Sequence, residues 1–408
     1  LSVISDRQRF PQQGLRSAHS GPSQDHARRV LAGRGTRGLG PITMRVGDEV
    51  ITVLPADPAI LDDPVTIVDG PSDDAEVVVE FASPEAFSDF SHEMRTVAGL
   101  HVTGAVSHPV GGFAEFDDWE PALRALYHGR PVYDPADIDL ADAERSFDWD
   151  EVDNDPDVAD DLAAFLRRYG WAHVRNVFNA GEIATLNAEV DRVEAAASPD
   201  TPGSWWTHDG DGDEQPCQLH YLGLASTVIG ALDHDRRVER LVGLSGDDLA
   251  NHPDRALGTF AVLKRPTAAE GLTNLPWHID CGLGGHPLTC PGLHLAVQLT
   301  ASNPDLGAFK IVPGSHDASV RRSDVEAGRC PVVTADTQTG DVTLHMTHAV
   351  HAAPAPLSSS TGRRTMYLGF GPQDLENVIG AGQSFDDLIT QTSTDGHVRF
   401  NAGAPGAV

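Results

Sequence analysis

In the run Leu275-Pro276-Trp277-His278-Ile279-Asp280 an imidazole and a carboxylate stand two residues apart, among neighbours that favour extended backbone. Successive side chains of a strand point to opposite faces, so His278 and Asp280 are aimed at one point. Two imidazoles and one carboxylate on one face of an octahedron leave three positions open, as ferrous iron needs for a bidentate keto acid and dioxygen. An isolated H-x-D pair is a weak signal. Its weight comes from two stretches far downstream in the chain: Gly340-Asp341-Val342-Thr343-Leu344-His345-Met346-Thr347-His348-Ala349-Val350-His351-Ala352-Ala353-Pro354, then Gly362-Arg363-Arg364-Thr365-Met366-Tyr367-Leu368-Gly369-Phe370. They read as a turn, a strand bearing a third imidazole, a loop, and a strand led by arginine. A guanidinium gives a carboxylate two parallel hydrogen bonds, a geometry an ammonium supplies less well.

Three histidines compete for the third ligand position. Strand alternation places His345 on the face of His351 and His348 on the other, unless a bulge intervenes. His351 is preferred for its spacing to Arg363 and for the small residues after it. Arg364 is the fallback for Arg363, and Lys264 either reaches the same anion or lies on the surface. The bland alternatives are cavity-lining histidines and surface ion pairs. Gly33-x-Gly35-x-x-Gly38 matches a dinucleotide fingerprint in letters only, since no strand precedes it and Gly40-Pro41 blocks a following helix. Asp209, Asp211 and Asp213 suggest a calcium loop, but Glu214 and His220 stand where Gly and Glu are needed. That stretch reads instead as an acidic loop, a lid carrying Trp205 and Trp206. Cys281 reads as a packed thiol.

Helices and strands on both sides of these groups must position them. Leu162, Phe165, Leu166 and Tyr169 recur at helical spacing, Trp171 to Val177 reads as a strand, and Gly181 to Ala197 as a long helix. From about Ser204 the pattern turns to strands and Gly/Pro-rich turns, the composition of a sandwich or barrel. Upstream, Ile42 to Val46 and Val50 to Val53 flank the turn Gly47-Asp48, and Val65 to Val68 and Glu76 to Phe81 add two more strands. Ser83-Pro84-Glu85 opens a helix through Met94, Leu100 to Val106 is predicted as a strand, and Phe113 to Leu126 as a helix. The expected organisation is a disordered segment 1–40, a small α+β domain 41–135, an acidic linker 136–160, a jelly-roll domain 161–372, and a C-terminal helix and tail 373–408.

With the leading helix and strand around Tyr169-Gly170-Trp171, Lys264 with Pro266, Gly307, and Val312-Pro313-Gly314-Ser315-His316 between the ligands, residues 160 to 372 resemble the phytanoyl-CoA dioxygenase (PhyH)-like iron(II)/2-oxoglutarate oxygenases. The resemblance implies a double-stranded β-helix of the cupin-like, jelly-roll kind, with a metal on His278, Asp280 and His351 and 2-oxoglutarate on Arg363. It implies a dioxygenase that uses Fe(II), 2-oxoglutarate and O2 to hydroxylate a C–H bond. Two departures stand out: Ala296, where an aromatic residue is common in the family, and Ala353, where a serine is. Asp280 argues against halogenation, which would need a small residue there. More weakly, Asp74 to Pro135, with the run Asp117-Asp118-Trp119-Glu120-Pro121, resembles a sterol-carrier-protein-2-like domain. The rival functions are a jelly-roll binding module without turnover and a zinc-dependent hydrolase using the same His/Asp/His set.

A net charge of -31 over 408 residues, with Lys264 and Lys310 the only lysines, would repel phosphate backbones and argues against a nucleic-acid partner. No apolar run approaches the roughly 20 residues that span a bilayer, so no membrane insertion is expected. Cys217, Cys281, Cys290 and Cys330 are too sparse for a disulfide framework, which suggests a reducing, cytoplasmic setting. The expected partner is a small-molecule substrate, by resemblance of lipid or acyl type, and the oligomeric state is unknown.

Overall fold

A computed structural model describes residues 12–19, 35–55, 65–201, 203–208, 211–255, 257–266, 273–282, 288, 290–357 and 361–373, with the backbone of 399–400. The architecture is α+β. In the N-terminal domain a five-stranded sheet has the spatial order Val65–Asp69, Glu49–Pro55, Ile42–Val46, Val77–Phe81, Val106–Val110, with the third and fourth strands parallel. The first hairpin turns at Gly47, whose φ of 56° is the left-handed backbone that glycine adopts freely. Helices Pro84–Ser91 and Phe113–His128 pack on this sheet through Phe87, Phe90, Phe116, Trp119 and Leu123.

Three expectations fail here, each for a tertiary reason. The strand predicted over Leu100 to Val106 is a helix, Val97–Val102, followed by a strand, Val106–Val110. Thr96 caps that helix by accepting from the Gly99 N–H, and the Glu120 carboxylate accepts from the Val97 N–H at 3.0 Å. These two acceptors meet orphan donors of the first turn and outweigh the β-branched residues that favoured a strand. Second, the 1–40 segment expected as disordered is partly built in. Leu15 is fully buried in the domain core, and Arg321 donates to the carbonyls of Arg37 and Gly35.

Third, the acidic linker is ordered. It holds helices Leu140–Ala143 and Trp149–Asn154, a strand Phe147–Asp148, and the start of helix Pro156–Tyr169. Its aspartates look solvated in sequence, but Asp139, Asp148 and Asp155 each cap one of these helices, each cap contributing about 1 kcal/mol. Phe147, Trp149 and Val152 join the main core. The C-terminal helix expected over 373–408 lies outside the described residues, apart from a short strand Arg399–Phe400 against Trp205 and Trp206.

The C-terminal domain has two sheets. The larger runs through Ser204–His208, Glu214–Leu219, Thr259–Lys264, Arg363–Pro372, Leu293–Gln298, Val342–Met346 and Trp171–Arg175. Trp205 and Trp206 therefore lie in a strand of this sheet, paired with Glu214–Leu219 on one side and Arg399–Phe400 on the other, rather than in a lid. The smaller sheet has the order Leu275–His278, His351–Ala353, Lys310–Ile311, Val333–Thr334. Strand parity divides the larger sheet. Leu293, Leu295, Val297, Val342, Leu344, Met366 and Leu368 pack into the core with helices Pro156–Tyr169, Ala180–Ala196 and Arg236–Gly243. The other face carries His294, Gln298, Thr343, His345, Arg363, Thr365 and Tyr367 and looks toward the smaller sheet. An interior this polar must be matched by ligands or by itself.

Candidate active site

His278 ends its strand, and Asp280 lies just beyond it in a bend whose N–H donates to the Thr347 carbonyl at 2.8 Å. The pair therefore converges as alternation implied, although only His278 is in the strand proper. His351 leads the adjacent strand, its Cα in register with that of His278. Ligand atoms of His278, Asp280 and His351 all lie within 4.8 Å of one another. The Nε2 atoms of His278 and His351 stand 3.6 and 3.7 Å from the two oxygens of Asp280. Backbone carbonyls fix both rings: Nδ1 of His278 lies 2.7 Å from the Pro276 oxygen, and Nδ1 of His351 lies 2.9 Å from that of Ala349. With Nδ1–H donating, each Nε2 keeps its lone pair for a cation, the usual way a ligating imidazole is oriented.

Asp280 also meets the opposite sheet. Nδ1 of His294 and Nε2 of His345 lie 3.4 and 3.8 Å from its Oδ2, so Asp280, His294 and His345 make a second group of metal-ligating size. Neither ring nitrogen of His345 has a hydrogen bond, so nothing fixes its tautomer as the carbonyls fix those of His278 and His351. Parity counting along a single strand puts His345 and His351 on one face. Instead the turn after Met346 moves the chain to the other sheet, and both rings still reach Asp280, from opposite sides. His348 goes elsewhere, its ring 6.0 Å from that of His316.

Burial works to raise the Asp280 carboxyl, but the surrounding imidazoles of His351, His278, His345 and His294 overcome it and hold the pKa well below 3.8. Burial and the neighbouring imidazoles hold His351 well below its usual range, whereas for His278 the Asp280 carboxylate outweighs burial and raises it. An ionised Asp280 beside a neutral His351 is the protonation state a divalent cation requires. Oδ2 of Asp280 is buried and accepts no hydrogen bond, and this unmet acceptor is what a cation would satisfy.

Arg363 is 2 % exposed. Its Nε donates to the Gly307 carbonyl at 3.0 Å and Nη1 to Thr365 Oγ1 at 2.6 Å, while Nη2 is buried without an acceptor. Burial lowers its pKa, and the neighbouring Tyr367 offsets part of that cost. Arg364 points the other way, paired with Asp191 and Glu194, as alternation demands. Lys264, read as reaching the keto acid or lying on the surface, is buried and bonded to backbone. Its Nζ donates to the carbonyls of Thr273, Ala353 and Pro354 at 2.6 to 2.7 Å, which uses all three ammonium hydrogens. Burial and Arg363 push its pKa down to about 6, with Cys217 working the other way; hydrogen bonds to three carbonyls stabilise the charged form.

Sequence reasoning missed His294, Gln298, Thr365 and Tyr367. The signal was present, because polar residues alternate with Leu, Val and Met in both strands. Tyr367 is in register with Ala296 and stacks on Phe260 at 5.0 Å, so its ring occupies interior volume that the small side chain at position 296 leaves open.

A family model for phytanoyl-CoA dioxygenase (PhyH) matches residues 166–365. No curated protein matches the chain. Among solved structures, the non-heme alpha ketoglutarate dependent epimerase SnoN from nogalamycin biosynthesis is 26% identical, over 53% of this chain and 84% of that one, with a TM-score of 0.42. EctD from S. alaskensis, solved with 2-oxoglutarate and 5-hydroxyectoine, is 22% identical over 60% and 83%, with a TM-score of 0.45. HygX from Streptomyces hygroscopicus, with nickel and 2-oxoglutarate bound, is 21% identical over 52% and 87%, with a TM-score of 0.39. The match leaves the N-terminal domain outside it, and the sterol-carrier resemblance of that domain is not shown. Residues 166–365, which contain the histidine cluster and Arg363, are the part of the chain that matches the phytanoyl-CoA dioxygenase (PhyH) family model.

Proposed function

We propose that this chain is an iron(II), 2-oxoglutarate-dependent dioxygenase that hydroxylates a C–H bond of a small molecule. His278, Asp280 and His351 are the metal ligands and Arg363 the keto-acid anchor, within a double-stranded β-helix. The observation that carries this reading is the presence of two unmet buried groups, the Asp280 Oδ2 acceptor and the Arg363 Nη2 donor, both near Tyr367 on the face between the two sheets. One asks for a cation and the other for an anion. Ferrous iron with its keto acid would supply oxygen activation coupled to decarboxylation. The protein's part is to hold ligands, orient substrate and exclude water.

The groups present fit those roles. Backbone carbonyls present both Nε2 atoms of the proposed triad, and Thr365 and the Gly307 carbonyl hold the guanidinium of Arg363 in place. A second ligand set, Asp280 with His294 and His345, is favoured by its equal closeness and disfavoured by the unanchored His345 ring. Oxygen-dependent release of succinate from 2-oxoglutarate tests the reaction, and its abolition in His278→Ala tests the ligand set. Turnover that persists in His278→Ala but is lost in His345→Ala would move the metal to the second set.

A further inference from the structure

The N-terminal domain and the outer face of the smaller sheet line a half-open cavity of about 160 Å³. Parity separates this space from the histidine interior. Trp277, Ile279, His348 and Val350 line it, whereas Asp280, His351 and Arg363 do not, and His278 is the residue common to both. From the N-terminal side come Thr96 and Ala98 at the start of helix Val97–Val102, with Glu120, Pro121 and Arg124 from helix Phe113–His128.

The walls are fixed to each other. Thr96 donates to the Gly282 carbonyl from both its N–H and its hydroxyl, at 2.8 and 3.2 Å, and the Leu288 N–H donates to the Glu93 carbonyl at 2.8 Å. Gly282 has a φ of 74°, and a Cβ there would come within 2.6 Å of the Thr96 methyl, so the junction requires glycine. Val132 and Ser319 add a bridge between the domains. The space is therefore a built cavity rather than a gap between loosely apposed bodies.

Its charged residues pair among themselves. Arg322 meets Asp117 at 3.2 Å, Arg124 is bonded to Glu120, and Arg130 holds Glu93 through two hydrogen bonds at 2.9 and 3.0 Å. Guanidinium and carboxylate match one for one, so an incoming charge would have to break a pair and lose its own hydration. Burial and the nearby Glu120 push the Asp117 carboxyl up to about 7 despite Arg322, which marks surroundings that disfavour charge. What remains presents mainly apolar surface, from Trp277, Ile279, Leu288, Val350, Pro121 and Ala318, with uncharged polar groups of Ser315, Ser319, His316 and His348 beside it. An apolar cavity of about 150 Å³ is large enough to take up benzene.

We infer that this interdomain cavity is a ligand site for a small, uncharged molecule of mainly hydrocarbon character. Its occupant touches Trp277 and Ile279, the residues flanking His278, so it bears directly on the strand that presents the proposed metal ligand.

The test uses the full chain without metal, so it succeeds or fails independently of the oxygenase reading. Binding of cyclohexanol, cyclohexanecarboxylate and cyclohexylammonium, three probes of one shape and different charge, is measured by saturation-transfer NMR with titration. Cyclohexanol should bind and each charged probe should bind at least ~10-fold more weakly. Ala98→Trp and Ala318→Trp, which fill the cavity from opposite walls, should each abolish cyclohexanol binding, with circular dichroism verifying that either variant folds. Equal or tighter binding of a charged probe would overturn the inference, as would absence of cyclohexanol binding to the wild type or its survival in a folded Trp variant. Addition of iron and 2-oxoglutarate separates the sources of such a ligand: a substrate is consumed with succinate release, and an effector is recovered unchanged.

Discussion

Lys264 and Arg363 lie side by side in neighbouring strands, their Cα atoms in register, and both are almost fully buried. Lys264 sits in a cage of three carbonyl oxygens, with no donor left over. Arg363 has partners for Nε and Nη1 and none for Nη2. A buried donor without an acceptor costs about 1–3 kcal/mol, so the fold tolerates a deficit at one cation that it avoids at the next. Two carboxylates show the same contrast. Asp341 accepts from His173 at 2.9 Å and from the N–H groups of Gln338 and Asn176, whereas Asp280 leaves Oδ2 unmet. Complete pairing suits groups that hold the structure together, and the unmet Asp280 Oδ2 and Arg363 Nη2 are the two atoms on which the proposed iron and 2-oxoglutarate sites rest.

The largest effect that could break this contrast is expected at the proposed metal ligands. His351→Ala should lower anaerobic ferrous-iron affinity by more than ~100-fold, the upper end of what loss of a hydrogen-bonding partner behind a ligand costs. His345→Phe should cost clearly less. A reversal of that order, read from the visible absorption of the iron and 2-oxoglutarate complex, would transfer the unmet valence to the second histidine set.

At Arg363 the expected change is in binding rather than folding. Arg363→Lys should raise the KM for 2-oxoglutarate about 10- to 100-fold, as expected for loss of one charged hydrogen bond, with little change in Tm. Lys264→Met should do the opposite. Three carbonyls lose their donors, stability to denaturant falls by about 1–3 kcal/mol, and the KM for 2-oxoglutarate stays unchanged. A KM change in Lys264→Met would show that the caged ammonium reaches the keto acid after all.

The smallest and most pH-dependent effect is expected at Asp341. Burial works to raise this carboxyl, and the hydrogen bonds from His173, Gln338 and Asn176 outweigh it, leaving the pKa below 3.8. A depressed carboxylate contributes stability that is present above its unfolded pKa and lost as pH falls through the folded one. Asp341→Asn should therefore destabilise the protein by about 1–2 kcal/mol at pH 7 and progressively less below about pH 4. A penalty unchanged between pH 7 and pH 3 would mean that shape rather than charge holds that corner.

Much of the site was legible because strands impose a period of two. That rule aimed His278 and Asp280 together, and it also accounts for Arg363 and Arg364 pointing apart, although the sequence reading kept Arg364 as a fallback. It failed after Met346, because a turn that carries the chain from one sheet to the other resets the parity, and no local pattern reports which sheet a strand joins. His294 and Tyr367 were visible as polar interruptions of apolar strands, yet their role depends on which strands become neighbours. The acidic run 136–160 misled for a different reason. An aspartate that caps a helix and one that faces water look alike until the helix has something to pack against.

Residue chemistry and spacing alone determined which groups could act: an H-x-D pair, a distant histidine and an arginine leading a strand. Only the tertiary structure decided which histidines surround Asp280, that Lys264 is held by carbonyls, that Leu15 closes a core, and that two domains share a cavity beside His278. The physical reason is range. Backbone stereochemistry acts over a few residues and can be read along the chain, whereas hydrogen-bond matching and burial depend on partners the chain brings together only on folding.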